Sequence, residues 1–447
     1  MTTQPRDTSA RLSRRVHQVH TFVTIFVLSG TIAERTAFNG PTMATKPSGS
    51  SGETTIQACS AGRWAIPTRL ASGVNLRVAR YPRLAIGAQT GYVIGVDIQK
   101  FDSGVVPTNP LTVWTLDGRE IGQPPGRFAF LYPRGAVDSQ QRLHLLWAEP
   151  RVLDAGIDAR AWLMLRPATL LTATYESTTG WSTAHELPFD IDQPRWQWKG
   201  IADNLGEFSS EQGVGLTPMR PPKTLTYMFL SEQRTWERSV IPFAGAYVSL
   251  ASSKDRIVAA YAAADSDWMR SAENPTHEDA NSVFVRASLD HGRTWSMPRL
   301  IQHGGRTPAH QVQVLLGKQG EIHLLWKQVA FTGQVIRHVH SDDGVRWSAP
   351  DDLPAPSLDN MRAVIDACGD VRLVAEDWSR GVNQLQLVEA TWNAHWSATN
   401  RLFVDLEAMT PDVRNSSNGV SVLTFVGRPL GASSTTPYAT FLSRLEN

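Results

Sequence analysis

A turn motif that recurs along the chain constrains the fold more than any other feature of the sequence. Its fullest copy spans Ser288–Trp295, with the order Ser-Leu-Asp-His-Gly-Arg-Thr-Trp, and a shorter copy spans Ser341–Trp347. An Asp two residues after a Ser can accept hydrogen bonds from backbone N–H groups, and a Gly supplies the positive φ that a tight turn needs. The motif therefore predicts a β-hairpin whose second strand starts with a buried Trp.

Weaker copies of the motif recur at a regular interval. The Trp residues that mark the series are Trp181, Trp236, Trp295, Trp347 and Trp396. An interval of roughly 50 residues, with four short strands in each unit, predicts the blades of a β-propeller. Apolar runs such as Arg142–Trp147 and Glu321–Trp326 share His-Leu-Leu-Trp and predict inner strands that are buried on both faces.

The two ends of the chain carry parts of a single repeat. Residues 62–70 resemble an outermost strand that has no hairpin partner before it, and Tyr438–Ser443 resembles a third strand that has none after it. We therefore expect the N- and C-terminal strands to pair and close the ring, which leaves only short sheet edges. The hairpin series predicts an all-β fold, a β-propeller of seven blades over residues 62–447. Because the unit near Gly118 is the weakest copy, six blades is the alternative.

The first 61 residues differ from the rest of the chain. Residues 1–33 combine several arginines, a short apolar stretch and small residues, which is typical of a secretory signal peptide. The apolar stretch is too short for a comfortable transmembrane helix, so no stable membrane span is predicted. Residues 34–61 are rich in Thr, Ser, Gly and Pro and predict a flexible linker. The expected location is secreted or periplasmic, or cytoplasmic if residues 1–33 are not a signal.

Composition argues against several classes of function. The net charge is +1 and no basic tract occurs, which argues against nucleic-acid binding. No metal-ligand spacing and no phosphate-binding loop is found, so neither a metal nor a cofactor is predicted. The two cysteines, Cys59 and Cys368, are too far apart in sequence to settle whether they pair. The oligomeric state is not specified by the sequence.

The turn motif carries a family resemblance. The two fullest copies resemble the Asp-box, or BNR repeat, of the sialidase superfamily, and the weaker copies extend the likeness over about residues 62–447. The matching positions are Ser288, Asp290, Gly292, Thr294 and Trp295 in the first copy and Ser341, Asp343, Gly344 and Trp347 in the second. The resemblance implies a β-propeller, often with glycosidase activity on sialic acids or other glycans. It also implies that the boxes are structural, since in the family they lie on the face opposite the active site.

Sialidases of this family bind a carboxylate with three arginines and use a Tyr nucleophile that a Glu activates. The nearest match to the first arginine motif is Tyr81-Pro82-Arg83, in which the order differs, and Tyr132-Pro133-Arg134 repeats it about one blade later. Because the motif repeats at the blade interval, a structural role in each blade is an alternative to a role in ligand binding. Arg83, Arg134 and Arg362 each stand at the start of a candidate innermost strand. They predict a basic cluster that captures an anionic ligand.

Loops on the face opposite the boxes combine carboxylates, arginines and Trp. The candidate acid and base residues are Asp265, Asp267, Glu376 and Glu149, because a suitably spaced carboxylate pair can cleave a glycosidic bond. Trp268 and Trp378 are candidate surfaces on which a sugar ring could stack.

The leading interpretation is a sialidase-like propeller that recognises a glycan or glycoconjugate at its central funnel and could hydrolyse it. If the protein is an enzyme, the sequence predicts a glycoside hydrolase. The alternative is a non-catalytic Asp-box propeller that serves as a protein-interaction or assembly scaffold.

Overall fold

The computed structural model describes residues 62–70, 82–96, 111–126, 131–138, 140–150, 168–191, 215–216, 219–220, 224–230, 236–242, 246–253, 256–263, 281–290, 292–303, 307–330, 333–381, 384–416, 419–433, 436 and 438–446. They belong to one compact unit, Ala58–Asn447. The regular elements of the described part are all β-strands, which confirms the all-β prediction. None of these residues forms a helix of the length and apolar character that crossing a bilayer requires.

The strands of the described residues form seven antiparallel sheets, named S1 to S7. Two short strands precede them, β1 (Arg63–Trp64) and β2 (Thr68–Leu70). S1 contains β3 (Arg83–Ile86), β4 (Gly91–Val96), β5 (Leu111–Thr115) and β6 (Glu120–Gly122). S2 contains β7 (Leu131–Val137), β8 (Leu143–Pro150), β9 (Ala168–Glu176), β10 (Gly180–Trp181) and β11 (His185–Ile191). S3 contains β12 (Gly215–Leu216), β13 (Met219–Arg220), β14 (Thr224–Leu230) and β15 (Trp236–Pro242).

The remaining four sheets are formed mainly by later strands of the chain. S4 contains β16 (Ala246–Ser253), β17 (Arg256–Ala263), β18 (Ser282–Ser288) and β19 (Arg299–Gln302). S5 contains β20 (Ala309–Leu316), β21 (Ile322–Ala330), β22 (Gly333–Ser341) and β23 (Asp351–Pro354). S6 contains β24 (Leu358–Ile365), β25 (Val371–Asp377), β26 (Gln386–Asn393), β27 (His395–Trp396) and β28 (Asn400–Leu402). S7 contains β29 (Leu406–Asn415), β30 (Ser421–Pro429) and β31 (Ala439–Glu446), together with β1 and β2.

S7 is built from both ends of the described chain. β1 and β2 pair antiparallel with β31, so that Trp64 lies opposite Leu445 and Thr68 lies opposite Leu442. The Trp64 indole Nε1 also donates to Glu389 Oε1 of S6 at 2.9 Å. The N-terminal strands are thus fixed both to the last strand and to the preceding sheet.

The apolar runs of the sequence form the second strands of their sheets. β8, β17, β21, β25 and β30 are these second strands, and β8, β21, β25 and β30 are each entered from a tight turn after the first strand. Trp147 in β8 and Trp326 in β21 are fully buried. Each such side chain contributes roughly 1.5–3 kcal/mol through its burial. Buried apolar clusters join S4 to S5, S5 to S6, S6 to S7, S7 to S1 and S1 to S2, so the described hydrophobic core lies between these sheets.

The first strands of the sheets contact one another in sequence, in the order S4, S5, S6, S7, S1 and S2 among the described residues. Five of them carry a β-bulge close to their start. The residue that follows the bulge is Arg134 in S2, Ser249 in S4, Gln313 in S5, Arg362 in S6 and Asp412 in S7. A bulge re-aims the side chain that follows it, so these five residues are placed alike.

Where the post-bulge residue can accept a hydrogen bond, it holds the next sheet. Ser249 Oγ accepts from Val314 N at 3.1 Å, and Gln313 Oε1 accepts from Ala363 N at 2.9 Å. Asp412 Oδ2 accepts from Leu84 N at 2.8 Å. Because Arg has no acceptor, the arginines at this position cannot make this bond.

The two motif turns have defined hydrogen bonds. Asp290 Oδ1 accepts from Ser288 Oγ at 2.7 Å and from Thr294 N at 2.8 Å, and Gly292 has a φ of 89°. Asp343 Oδ1 accepts from Val345 N and Arg346 N, each at 2.7 Å. The expectation that the Trp starts the next strand is wrong for these two copies, since β19 begins at Arg299 and β23 at Asp351. The turn hydrogen bonds and the proline three residues after each Trp move the start of the strand to a later residue. Both Trp rings are only partly buried.

A second type of turn joins the first and second strands. In S2, Asp138 Oδ1 accepts from Gln140 N and Arg142 N, and its Oδ2 contacts His144 Nε2 at 2.8 Å. Asp366 has the same role in S6, where its Oδ1 accepts from Cys368 N at 2.9 Å. Cys368 is disulfide-bonded, and Cys59, the other cysteine of the sequence, lies outside the described residues.

Candidate functional site

The candidate site residues lie at one end of the sheets, which we call the upper end and define as the end where each first strand begins. Arg83 opens β3, and Arg134 and Arg362 follow the bulges of β7 and β24. Asp265, Asp267 and Trp268 lie outside the described residues. Glu149 lies in β8 opposite Thr169, with its side chain outside the described part.

A single buried carboxylate brings two of the three predicted arginines together. Arg83 Nη1 lies 3.9 Å from Asp412 Oδ1, and Arg362 Nε lies 3.8 Å from the same atom. Arg414 Nε, which the sequence did not suggest, lies 3.8 Å from it as well. We call these four residues the arginine cluster. Three guanidinium groups thus lie 3.8–3.9 Å from one carboxylate oxygen, and the Asp412 side chain is 1% exposed.

Arg134 shares the local geometry of Arg362. Arg134 Nη1 donates to the carbonyl of Pro133 at 3.1 Å, and Arg362 Nη1 donates to the carbonyl of Met361 at 3.0 Å. In both sheets the guanidinium folds back onto the bulge that precedes it. The bulge thus sets the direction of the guanidinium group.

Glu376, a predicted acid or base, is 1% exposed near the end of β25. Its Oε1 accepts from Thr410 N at 2.6 Å, and its Oε2 accepts from Asn360 Nδ2 at 2.9 Å. Burial raises the pKa of Glu376, although these hydrogen bonds favour the charged form. Glu376 therefore links the bulges of β24 and β29. Its catalytic role stays a prediction.

Trp378 is the described residue that best fits a stacking surface. It follows β25 at the upper end and is 37% exposed. Its indole Nε1 donates to Glu376 Oε2 at 3.1 Å, and its backbone N–H donates to the Ser357 carbonyl at 2.9 Å. The edge and the backbone of this Trp are thus both fixed, while part of its ring is open to solvent.

A tyrosine, a glutamate and an arginine that were not predicted from the sequence also lie together at the upper end. Tyr438 Oη donates to Glu407 Oε1 at 2.6 Å, and Arg428 Nε donates to Glu407 Oε2 at 2.8 Å. The Arg428 guanidinium also lies 4.5 Å from the centre of the Tyr438 ring. Burial and the adjacent carboxylate raise the pKa of Tyr438. A tyrosine paired with a carboxylate in this way can act in covalent or acid–base chemistry when the carboxylate takes its proton.

The sequence contained a signal for Asp412 that a closer comparison of the repeats could have found. Pro82, Pro133 and Pro411 each stand directly before the residue in question, which is Arg83, Arg134 or Asp412. Proline lacks an N–H group and is tolerated in strands at bulges. The prolines therefore mark equivalent places. By contrast, the Glu407–Tyr438 contact depends on side-chain directions that no spacing reveals.

No group of three or more His, Cys, Asp or Glu side chains in the described part of the chain has a geometry that could hold a metal ion. The described groups at the upper end that can contact a ligand are guanidinium, carboxylate, phenol and indole groups.

Comparisons with known proteins give structural similarity only. No family model and no curated protein matches the sequence. The chain is similar to the polysaccharide lyase Uly1 at 12% identity and a TM-score of 0.47, over 88% of this chain and 94% of that chain. It is similar to the NanB sialidase of Streptococcus pneumoniae, in its K499G mutant, at 11% identity and a TM-score of 0.44, over 86% and 70% of the two chains. It is also similar to the α-L-arabinanase of Penicillium chrysogenum at 13% identity and a TM-score of 0.40, over 71% and 95%. Similarity at this level assigns neither an activity nor a substrate.

Proposed function

We propose that the protein is an exported, closed seven-bladed β-propeller of the Asp-box type that binds an acidic glycan at the arginine cluster. The seven sheets, the pairing of β1 and β2 with β31, and the motif turns support the architecture. The three arginines that converge on Asp412 support the choice of an anionic ligand.

The convergence of the three arginines carries this proposal. Their guanidinium groups meet at Asp412, whose Oδ2 also accepts from Leu84 N. The Arg362 and Arg414 side chains are 27% and 31% exposed, so solvent reaches both. Guanidinium groups bind carboxylates and sulfates through paired, charge-assisted hydrogen bonds. An acidic sugar carries the kind of anionic group that such guanidinium groups bind.

The test is a binding panel of oligosaccharides that carry uronate, sialate or sulfate groups, each with its neutral counterpart. We expect an acidic member to bind, and Arg83→Ala, Arg362→Ala and Arg414→Ala each to weaken its binding by roughly tenfold or more. The control is Arg346→Ala, which removes the same charge from an exposed turn at the opposite end of S5. Unchanged affinity in all three variants would overturn the proposal, and a panel without any binding would favour the scaffold alternative.

Glycoside cleavage is the second candidate function, and the Tyr438–Glu407 contact of 2.6 Å favours it. Sialidases are a known case in which a tyrosine replaces a carboxylate as nucleophile. A screen with fluorogenic sialosides and other aryl glycosides tests this function. If cleavage occurs through this pair, Tyr438→Phe should abolish turnover and leave binding of the acidic glycan intact. Turnover that survives in Tyr438→Phe would place the chemistry on other residues.

A further inference from the structure

We infer that Glu376 is a positioning residue that fixes the exposed Trp378 ring beside the arginine cluster, so that one ligand unit uses both surfaces. The ligand class that fits is a sugar ring that carries its own anionic group. The ring would stack on Trp378, and the anionic group would reach the arginines. This inference rests on the proposed function and specifies its ligand.

The contacts of Trp378 are unusual for a solvent-exposed aromatic residue. An exposed indole could hydrogen-bond to water, yet its Nε1 points inward to Glu376 Oε2, a carboxylate oxygen of a residue that is 1% exposed. The Ser357 carbonyl accepts from the Trp378 backbone N–H, and the Trp378 carbonyl accepts from Gly381 N at 3.0 Å. Because the ring is already held in place, binding of a ligand to it costs less side-chain conformational entropy.

The same carboxylate also fixes the backbone that leads into the arginine cluster. Asn360 and Thr410, which both donate to Glu376, have φ values of 46° and 54°. Such positive φ values are uncommon for residues other than Gly and persist where surrounding contacts hold them. Asn360 lies two residues before Arg362, and Thr410 lies two residues before Asp412. Glu376 thus ties together Trp378 and both bulges that aim these two residues.

The spacing along the chain keeps the two surfaces close. Asn360 donates to the same Glu376 Oε2 that holds the indole, and it lies two residues, at most roughly 7 Å of backbone, before Arg362. The aromatic face suits the apolar face of a sugar ring, and the guanidinium groups suit a carboxylate or sulfate. Glu376 contributes by holding both surfaces, since its own oxygens are occupied by Thr410, Asn360 and Trp378.

The first measurement needs no ligand. The ¹H–¹⁵N spectrum of the full chain reports the Trp378 indole N–H, assigned through its absence in Trp378→Phe. We expect Glu376→Gln to shift this signal and to speed its exchange with water, with the remaining indole signals unchanged. An indole signal that does not respond to Glu376→Gln would overturn the positioning role.

The second measurement uses the acidic oligosaccharide selected by the binding panel and its neutral counterpart. Glu376→Gln and Trp378→Phe should each weaken binding of the acidic form by roughly 2- to 12-fold, the net value of one hydrogen bond. Their double variant should lose little more than either one, because both remove the same contact. Trp378→Ala should lose more and should weaken the residual binding of the neutral form as well. The control is Glu446→Gln, an exposed residue at the end of β31.

The outcomes separate this inference from the proposed function. If the arginine variants weaken binding and the Glu376 and Trp378 variants do not, the proposal of an anionic ligand is retained and the inference of a shared subsite is rejected. If no acidic oligosaccharide binds, both the proposed function and the shared subsite are rejected. If the Glu376 and Trp378 variants weaken binding and their effects overlap in the double variant, the shared subsite is supported.

Discussion

At the scale of single residues, Asp412 organises the upper end of the described sheets. It accepts a backbone hydrogen bond from Leu84 in S1 and is the ion-pair partner of Arg83, Arg362 and Arg414. A charge that is buried without partners costs several kcal/mol, so Asp412 and its arginines depend on one another. The sequence pointed to the arginines through their repeat positions. It did not single out the acid that joins them.

We predict that Asp412→Asn lowers the free energy of unfolding by about 3 kcal/mol, near the lower end for a broken buried ion pair because the arginines are partly exposed. The amide oxygen can still accept from Leu84 N, so the loss reports on the charge. Urea denaturation monitored by circular dichroism gives the value. Asp359→Asn is the control: Asp359 is 41% exposed and pairs with Lys327 at 3.1 Å, and its loss should cost under about 1 kcal/mol. Equal stability of Asp412→Asn and wild type would mean that other groups balance the arginines.

At the scale of elements, the contact between S5 and S6 contains a histidine cluster. His323 in β21 and His338 and His340 in β22 lie with their rings nearly parallel, and His323 Nδ1 is 3.1 Å from His338 Nε2. The His338 ring lies 4.3 Å from Trp392 of β26, centre to centre. Burial, followed by the neighbouring imidazoles, lowers the pKa of His323 to about 4 and that of His338 to about 3. Both rings are therefore neutral in the folded protein at pH 7.

This cluster predicts a loss of stability in mild acid. The unfolded chain binds protons at these histidines below pH of about 6.5, whereas the folded protein does so only near pH 4 and 3. Stability should therefore be complete above about pH 6.5 and fall as the pH drops toward 4, by about 1.4 kcal/mol per pH unit for each histidine. His338→Phe should reduce this slope. Urea denaturation between pH 7 and about 5.5 measures it, above the range in which most carboxylates titrate.

The matched control for the histidine prediction is His185→Gln, which changes an exposed histidine of β11 and should leave the slope unchanged. The prediction fails if the wild-type protein is equally stable at pH 7 and at about pH 5.5. It also fails if His338→Phe retains the full slope, because another group would then bind the protons.

At the scale of the whole molecule, the sequence predicted what the repeats encode and missed what depends on contacts between sheets. Buried second strands such as β8 and β21 followed from His-Leu-Leu-Trp, because an unbroken apolar run can be satisfied only between two layers. The pairing of β1 and β2 with β31 followed from the incomplete repeats at the chain ends. The Glu376 contacts joining β24 to β29 could not be predicted, since they cross between sheets whose register depends on bulges.

The shared sheet S7 predicts that the described domain unfolds as one unit. Leu70 of β2 packs in a cluster with Leu84 and Trp114 of S1 and Leu442 of β31, so it joins both ends of the chain to the first sheet. Leu70→Ala should lower the free energy of unfolding by about 2–5 kcal/mol through the cavity it leaves. If the ring is closed, the whole urea transition should move, and Trp fluorescence and circular dichroism should still coincide. Arg69→Ala changes the exposed neighbour on the same strand and should stay within about 0.5 kcal/mol of wild type. Two separate transitions in Leu70→Ala would mean that S7 and S1 unfold apart from the other sheets, as expected of an open array.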